Sequence, residues 1–151
     1  MIEFGVEKYH QVSEDIKDLI KLHYEEIAVN KDVIPLDPDW DRYKQLDDKG
    51  LILTVTARDD GKLIGYAIFF VTTHLHYKST YYANNDLLYL HPDYRKGLIG
   101  VRLITLSEKY LKEKGVTKIM WHIKFNKDFS RLLHHLGYVD EDIIVGKIIK
   151  D

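Results

Sequence analysis

The segment that most constrains the fold is Leu87-Leu88-Tyr89-Leu90-His91-Pro92-Asp93-Tyr94-Arg95-Lys96-Gly97-Leu98-Ile99-Gly100-Val101-Arg102-Leu103-Ile104. An apolar run ends in His-Pro, crosses a charged turn holding Gly97 and Gly100, and enters a helical pattern. Proline lacks an N–H and suits a strand end, and glycine lets a ligand come close to the backbone. Ile99, Leu103, Leu106 and Tyr110 then recur at helical spacing and predict one buried helix face. A strand, a glycine turn and an uncapped helix N-terminus leave several N–H groups pointing one way, in a dipole that favours negative charge. Arg95, Lys96 and Arg102 add positive side chains around them. The pattern predicts a cradle for an anion of the pyrophosphate kind.

The rest of the chain supplies the elements around that cradle. Residues 2–6 read as a short strand, and Ser13 as the N-cap of a helix whose stripe Ile16, Leu19, Ile20, His23 and Ile27 runs to about Val29. After a loop with Pro35 and Pro38, a second short helix spans about Trp40–Asp48, with Asp37 or Asp39 as its cap and Gly50 as its stop. Leu51–Arg58 and Leu63–Thr73 read as strands joined by the hairpin turn Asp59-Asp60-Gly61-Lys62. A connection near Lys78–Ser79 leads to a strand from about Thr80 to Leu90. The long helix then runs to about Glu113, with Gly115 as its stop. A strand at Lys118–Lys124 follows, and then a short helix carrying Phe129, Leu132, Leu133 and Leu136 and ended by Gly137. Ile143–Ile149 reads as a final strand. The strand–helix–strand through 82–124 is long enough for a parallel crossover. The class is therefore α+β: one mixed sheet with helices on its faces, in a single domain over 1–151.

Composition removes several functions. With 22 basic and 24 acidic residues there is no general attraction to nucleic acid or to an anionic membrane surface. The absence of cysteine rules out a disulfide framework, a thiolate metal site and a cysteine nucleophile, and suits the cytoplasm. Met1-Ile2-Glu3-Phe4 lacks the basic start of a signal peptide, and no apolar run nears the roughly 20 residues that span a bilayer. Neither nucleic acid nor membrane is expected as a partner.

The motif Arg95-Lys96-Gly97-Leu98-Ile99-Gly100 resembles the central motif of the GNAT acyl-CoA-dependent N-acetyltransferases, Arg/Gln-x-x-Gly-x-Gly/Ala after a strand. Leu98 stands where the middle glycine is usual, and the spare glycine is one place earlier, at Gly97. The chain as a whole is most similar to the small GNAT proteins of tailed bacteriophages, through His74-Leu75-His76-Tyr77 and Asp128-Phe129-Ser130-Arg131-Leu132-Leu133, which implies a host cytoplasm. The resemblance implies the GNAT fold, with a V-shaped splay between the strands at about 82–90 and 118–124. It implies acetyl-CoA as cosubstrate, its pyrophosphate on Arg95, Lys96, Gly97, Leu98, Ile99, Gly100, Val101 and Arg102. The pantetheine arm is then expected on the backbone of Leu88, Tyr89 and Leu90, with Asn126 and Ser130 as further contacts. It implies an amine acceptor, a small molecule or a lysine, and leaves a homodimer open.

Acetyl transfer to an amine needs a base for the ammonium, a donor for the thioester oxygen and, in some enzymes, an acid for the departing thiolate. Asp86, an acid in an apolar strand, is the first candidate base, and alternation puts Asn84 on the same face. A structural carboxylate accepting local hydrogen bonds is an equal reading. His74 and His76, on one face if their strand persists, could serve instead, or form a solvated strand end. As a metal pair they lack a third ligand, so no metal is expected. Glu25 and Glu26 end the first helix, where the dipole disfavours carboxylates; one of them, Glu25 first, reads as a site residue, and solvated surface explains both equally. The GNAT acid is commonly a tyrosine seven residues after the Asn126 position, which here is Leu133, and the neighbouring His134 could stand in. Two functions stay open: an N-acetyltransferase by direct attack in a ternary complex, and a GNAT scaffold that binds CoA or a protein partner without catalysis.

Overall fold

The computed structural model of the protein describes residues 1–150. One sheet holds five strands in spatial order: β1 Ile2–Val6, β2 Ile52–Asp59, β3 Lys62–His74, β4 Tyr77–Leu90 and β5 Val116–Met120. The helices are α1 Tyr9–Ile27, α2 Trp40–Asp48, α3 Ile99–Glu113 and α4 Ser130–His135. Neighbours from β1 to β4 run antiparallel, and α3 carries the chain across so that β5 joins β4 in parallel. Strand alternation sorts the apolar residues into two cores. Val55, Ala57, Ala67 and Phe69 meet Leu103 and Leu111 of α3, while Ile52, Tyr66 and Ile68 meet Val12, Ile16 and Ile20 of α1. The expected α+β sheet with helices on both faces is the observed fold.

Local chemistry fixes the punctuation. Asp60 and Gly61 both have positive φ, 47° and 85°, as a two-residue hairpin that follows the strand twist requires. Asp39 caps α2 by accepting from the Arg42 N–H at 2.9 Å. The α1 start differs from expectation: Ser13 lies inside the helix, which begins at Tyr9. Its first N–H groups are met by Gln11 Oε1, from Lys8 at 2.6 Å, and by Asp47 Oδ2, from Tyr9 at 3.0 Å. The second of these caps comes from α2, and buried Val12 then extends the apolar stripe ahead of Ser13. In α3 the buried face is Leu103, Ile104, Ser107 and Leu111 rather than one including Leu106. Ser107 is tolerated there because its Oγ donates to the Leu103 carbonyl at 2.7 Å.

Three further expectations are corrected. The β3–β4 turn falls at Leu75-His76, not at Lys78–Ser79, because His74 pairs with Tyr77. Packing of the His74 ring against Tyr77 and Tyr82, at 5.6 and 6.4 Å, prolongs the hairpin past the polar Lys-Ser pair. The strand expected at 118–124 is instead Val116–Met120, paired with β4 only from Tyr81↔Val116 to Asn84↔Met120. The expected strand Ile143–Ile149 is absent: the segment has no ladder partner, and Ile143, Val145 and Ile149 are 84, 89 and 88 % exposed. Beyond Asn84 and Met120 the two strands part, so β4 from Asn85 to Leu90 has only β3 beside it. That parting is the V-shaped opening, and it begins two residues before Asp86.

Candidate active site

Asp86 owes its position to a bulge. Ile68 pairs with Leu87 and Phe69 with Asn85, so Asp86 is an extra residue in β4 with no partner in β3. A bulge bends a strand and re-aims a side chain. The buried Asn85 side chain holds this one, its Nδ2 donating to the Leu87 carbonyl at 2.9 Å and to the Ile68 carbonyl at 3.3 Å. Alternation from Asn84 puts Asp86 on the face covered by α1 and α2, the bulge lets Leu87 share that face, and there the Tyr43 hydroxyl of α2 donates to Asp86 Oδ2 at 2.5 Å. Tyr43 is itself stacked on Phe70, ring centroids 6.3 Å apart. Burial pushes the Asp86 carboxyl above the ordinary carboxylate range, while the Tyr43 hydrogen bond and the nearby His122 draw it part of the way back. Burial, then the Asp86 charge, push the Tyr43 hydroxyl up, so it stays a donor. A carboxylate so raised accepts protons more readily than one in water.

The β4–α3 turn has the predicted open backbone. Among the described residues, the N–H groups from Lys96 to Val101 meet no acceptor; the first bonded one is Arg102, to the Leu98 carbonyl at 2.9 Å. Gly97 sits at φ 97°, with open space where a Cβ would be. Leu98 is 70 % exposed, so it leaves the turn open in place of the usual glycine. On the α3 side of the splay, Trp121 Nε1 is buried without an acceptor. Unpaired donors, a left-handed glycine and the exposed Lys96 fit a polyanionic ligand whose arm carries carbonyl groups.

The side chains at the rim depart from expectation in part. Arg95 turns to α1, where both guanidinium nitrogens bond the Glu26 carboxylate, one at 2.6 Å, and its Nε donates to the Leu90 carbonyl at 2.8 Å. Leu90 therefore does not offer a free carbonyl. Arg102 lies over the Phe4 ring at 4.6 Å. Tyr89 is buried against His23 and Tyr66, and Leu88 and Leu90 pack on the α3 core. Asn126 Nδ2 donates to the Ile27 carbonyl at 3.4 Å, and the Ser130 N–H is capped by Asp128 at 2.8 Å.

The other candidates lie apart from Asp86. The rings of His74 and His76 lie tilted against each other at the tip of the β3–β4 hairpin, centroids 4.9 Å apart. Tyr77 and Asp86 stand nine positions apart along β4, up to about 30 Å at 3.3 Å per residue. His134 bonds Asp140 at 2.7 Å on the surface. Glu25 is 72 % exposed beside Lys31, whereas its neighbour Glu26 is 18 % exposed and paired. From the sequence, Glu26 shares with Glu25 the helix end where one of the two could serve a site, and Tyr43 reads as packing; Asn85 and His122 are not singled out. Of those two, Asn85 carries a signal, as a polar residue two places from Ala83 on a core-facing register.

The sequence matches the acetyltransferase (GNAT) family over residues 14–138. No curated protein matches it. The fold is similar to that of a ribosomal-protein-alanine N-acetyltransferase from Brucella melitensis biovar Abortus 2308, at TM-score 0.72 and 17 % identity over 100 % of both chains. It is similar to a predicted acetyltransferase with acetyl-CoA from Clostridium acetobutylicum, at TM-score 0.76 and 16 % identity over 99 % of this chain and 97 % of that one. An aminoglycoside acetyltransferase from an uncultured soil metagenomic sample, in complex with sisomicin, gives TM-score 0.74 and 15 % identity over 99 % and 97 %.

Proposed function

The chain belongs to the acetyltransferase (GNAT) family, and from that membership we propose that it is an acetyl-CoA-dependent N-acetyltransferase acting on a primary amine by direct attack in a ternary complex. The observation that carries the reading is Asp86, an unpaired bulge carboxylate held by Tyr43 where β4 and β5 part. Acetyl-CoA, when bound, supplies the thioester that donates the acetyl group. The N–H groups of 96–101 hold the pyrophosphate, with Lys96 as charge partner, and β4 from Leu88 offers backbone to the arm. Asp86 would take the proton from the attacking ammonium, with Tyr43 keeping its carboxylate oriented; as the C–N bond forms the C–S bond would break, and CoA would leave as the thiolate. With no cysteine in the chain, no acyl group is parked on a thiolate. His74, His76, Glu25 and His134 take no part in this scheme, because of where they lie.

The acceptor is an amine on a small molecule or on a lysine. No helix among the described residues is long and apolar enough to cross a membrane. We place the reaction in the cytoplasm, on the cysteine-free composition, and the stretches 74–77 and 128–133 support kinship with the small phage-encoded members of the family. The unpaired edge of β5 and the exposed run 143–149 support a homodimer, which sedimentation would refute by giving the monomer mass at assay concentration.

Thermal unfolding with and without acetyl-CoA tests the cosubstrate. Ligand at 100 times its dissociation constant adds about 2.7 kcal/mol, a rise of a few degrees for a domain of this size. A rise with acetyl-CoA that adenosine nucleotides do not match supports the reading, and no rise at millimolar ligand defeats it. An amine panel then reads turnover, which Asp86→Asn should abolish or nearly so.

A further inference from the structure

Glu26 takes no part in the chemistry assigned above, yet its carboxylate meets both rims of the cleft. Arg95, which it bonds through both oxygens, belongs to the turn that follows β4. Lys127, whose Nζ lies 3.4 Å from Glu26 Oε1, belongs to the short turn Phe125–Lys127 that follows β5. The adjoining Ile27 carbonyl accepts from Asn126 of that same turn. β4 and β5 share no ladder bond past Asn84 and Met120, so here the last turn of α1 does what the ladder no longer does. Arg95 passes the connection on into β4, through its bond to the Leu90 carbonyl and its place 5.7 Å over the Tyr89 ring. Hydrogen bonds from Arg95, chiefly, hold the Glu26 carboxyl below the ordinary carboxylate range, so it is charged at neutral pH.

We propose that Glu26 is a positioning residue that ties the two rims of the β4–β5 cleft at the spacing a CoA arm requires. The inference rests on the acetyl-CoA reading. It also has a counter-intuitive consequence. A carboxylate beside a polyanionic ligand is repulsive, so by charge alone Glu26→Gln would free Arg95 and tighten CoA binding. By the tie, the same isosteric change loosens both rims and weakens it. The sign separates the two.

Calorimetric titration of CoA into the wild type, Glu26→Gln, Lys127→Gln and the double variant reads that sign. Each single variant is expected to bind about tenfold more weakly, the scale of one charge-assisted contact. The double variant is expected to be no weaker than either single, because both break the same link. Equal or tighter binding by Glu26→Gln, or additive losses, would overturn the tie. Should Glu26→Gln fail to fold, the exposed Lys127→Gln carries the comparison, and wild-type affinity in it would overturn the tie. Hydrogen exchange of the ligand-free protein gives a reading independent of CoA: Glu26→Gln should speed exchange on both rims, at 88–90 and at 121–128. A wild type that binds no CoA defeats the acetyl-CoA reading alone; unchanged exchange on either rim defeats the tie.

Discussion

At the scale of single residues, titration is the sharpest probe of the site. As the base, Asp86 must be ionised to act, and burial holds its pKa above the ordinary carboxylate value. The acid limb of kcat/KM should therefore lie above the usual carboxylate range, with rate falling as pH falls through it. Tyr43→Phe removes a hydrogen bond that favours the charged form, so that limb should move to still higher pH; a move to lower pH in the pH–rate profile would contradict the assignment. His23 tests the folded state instead. It is 4 % exposed, its Nδ1 3.4 Å from the Tyr66 hydroxyl, and burial lowers its pKa from 6.5 to about 4. The unfolded chain takes up this proton near pH 6.5 and the folded one near 4, so the stability is whole above 6.5 and is lost as pH falls between the two. The difference is about 3 kcal/mol, and denaturant unfolding of His23→Phe at pH 7 and pH 4.5 should show a smaller loss than the wild type. His23 was legible in the sequence as part of a helical stripe, whereas its tyrosine partners come from β3 and β4, beyond local pattern.

At the scale of elements, β3 lies close against the end of the strand that carries the site. A Cβ on Gly65 of β3 would stand 2.9 Å from both Leu90 Cδ1 and the Tyr89 carbonyl oxygen, and the second of these is backbone. Gly65→Ala should cost about 1–3 kcal/mol in denaturant unfolding and should displace the end of β4, raising KM for acetyl-CoA. Asn85→Ala, which strips the bulge of its two side-chain bonds, should cost a similar 1–3 kcal/mol and lower kcat as Asp86 loses its fixed direction. Element order was readable because the glycine stops, Gly50, Gly61, Gly115 and Gly137, all carry the positive φ their spacing implies. Element ends were not readable where partners from far along the chain set them: Asp47 caps α1, and His74 and Tyr77 close a hairpin that a polar Lys-Ser pair seemed to break. The apolar run 143–149 misled for the same reason, since alternation supplies a face but not a neighbour to pair with.

At the scale of the whole molecule, two cores grip one sheet from opposite sides, and β4 must serve both. Its first half sends Ala83 and Asn85 toward α3; after the bulge, Leu87 and Tyr89 face α1 and α2 while Leu88 and Leu90 return to α3. Asp86 is the extra residue between those halves, since Asn85 opposite Phe69 and Leu87 opposite Ile68 already alternate without it. Removing it would set Leu87 directly after Asn85 in an unbroken ladder, and every later residue would keep its face. Tyr89 would stay with His23 and Tyr66, and the strand would lose only its bend and its carboxylate. Asp86→Asn and a single-codon deletion of Asp86 should therefore both leave a folded protein, by denaturant unfolding, and both halt turnover. At that one position the sheet has a residue to spare, and only the chemistry holds it there.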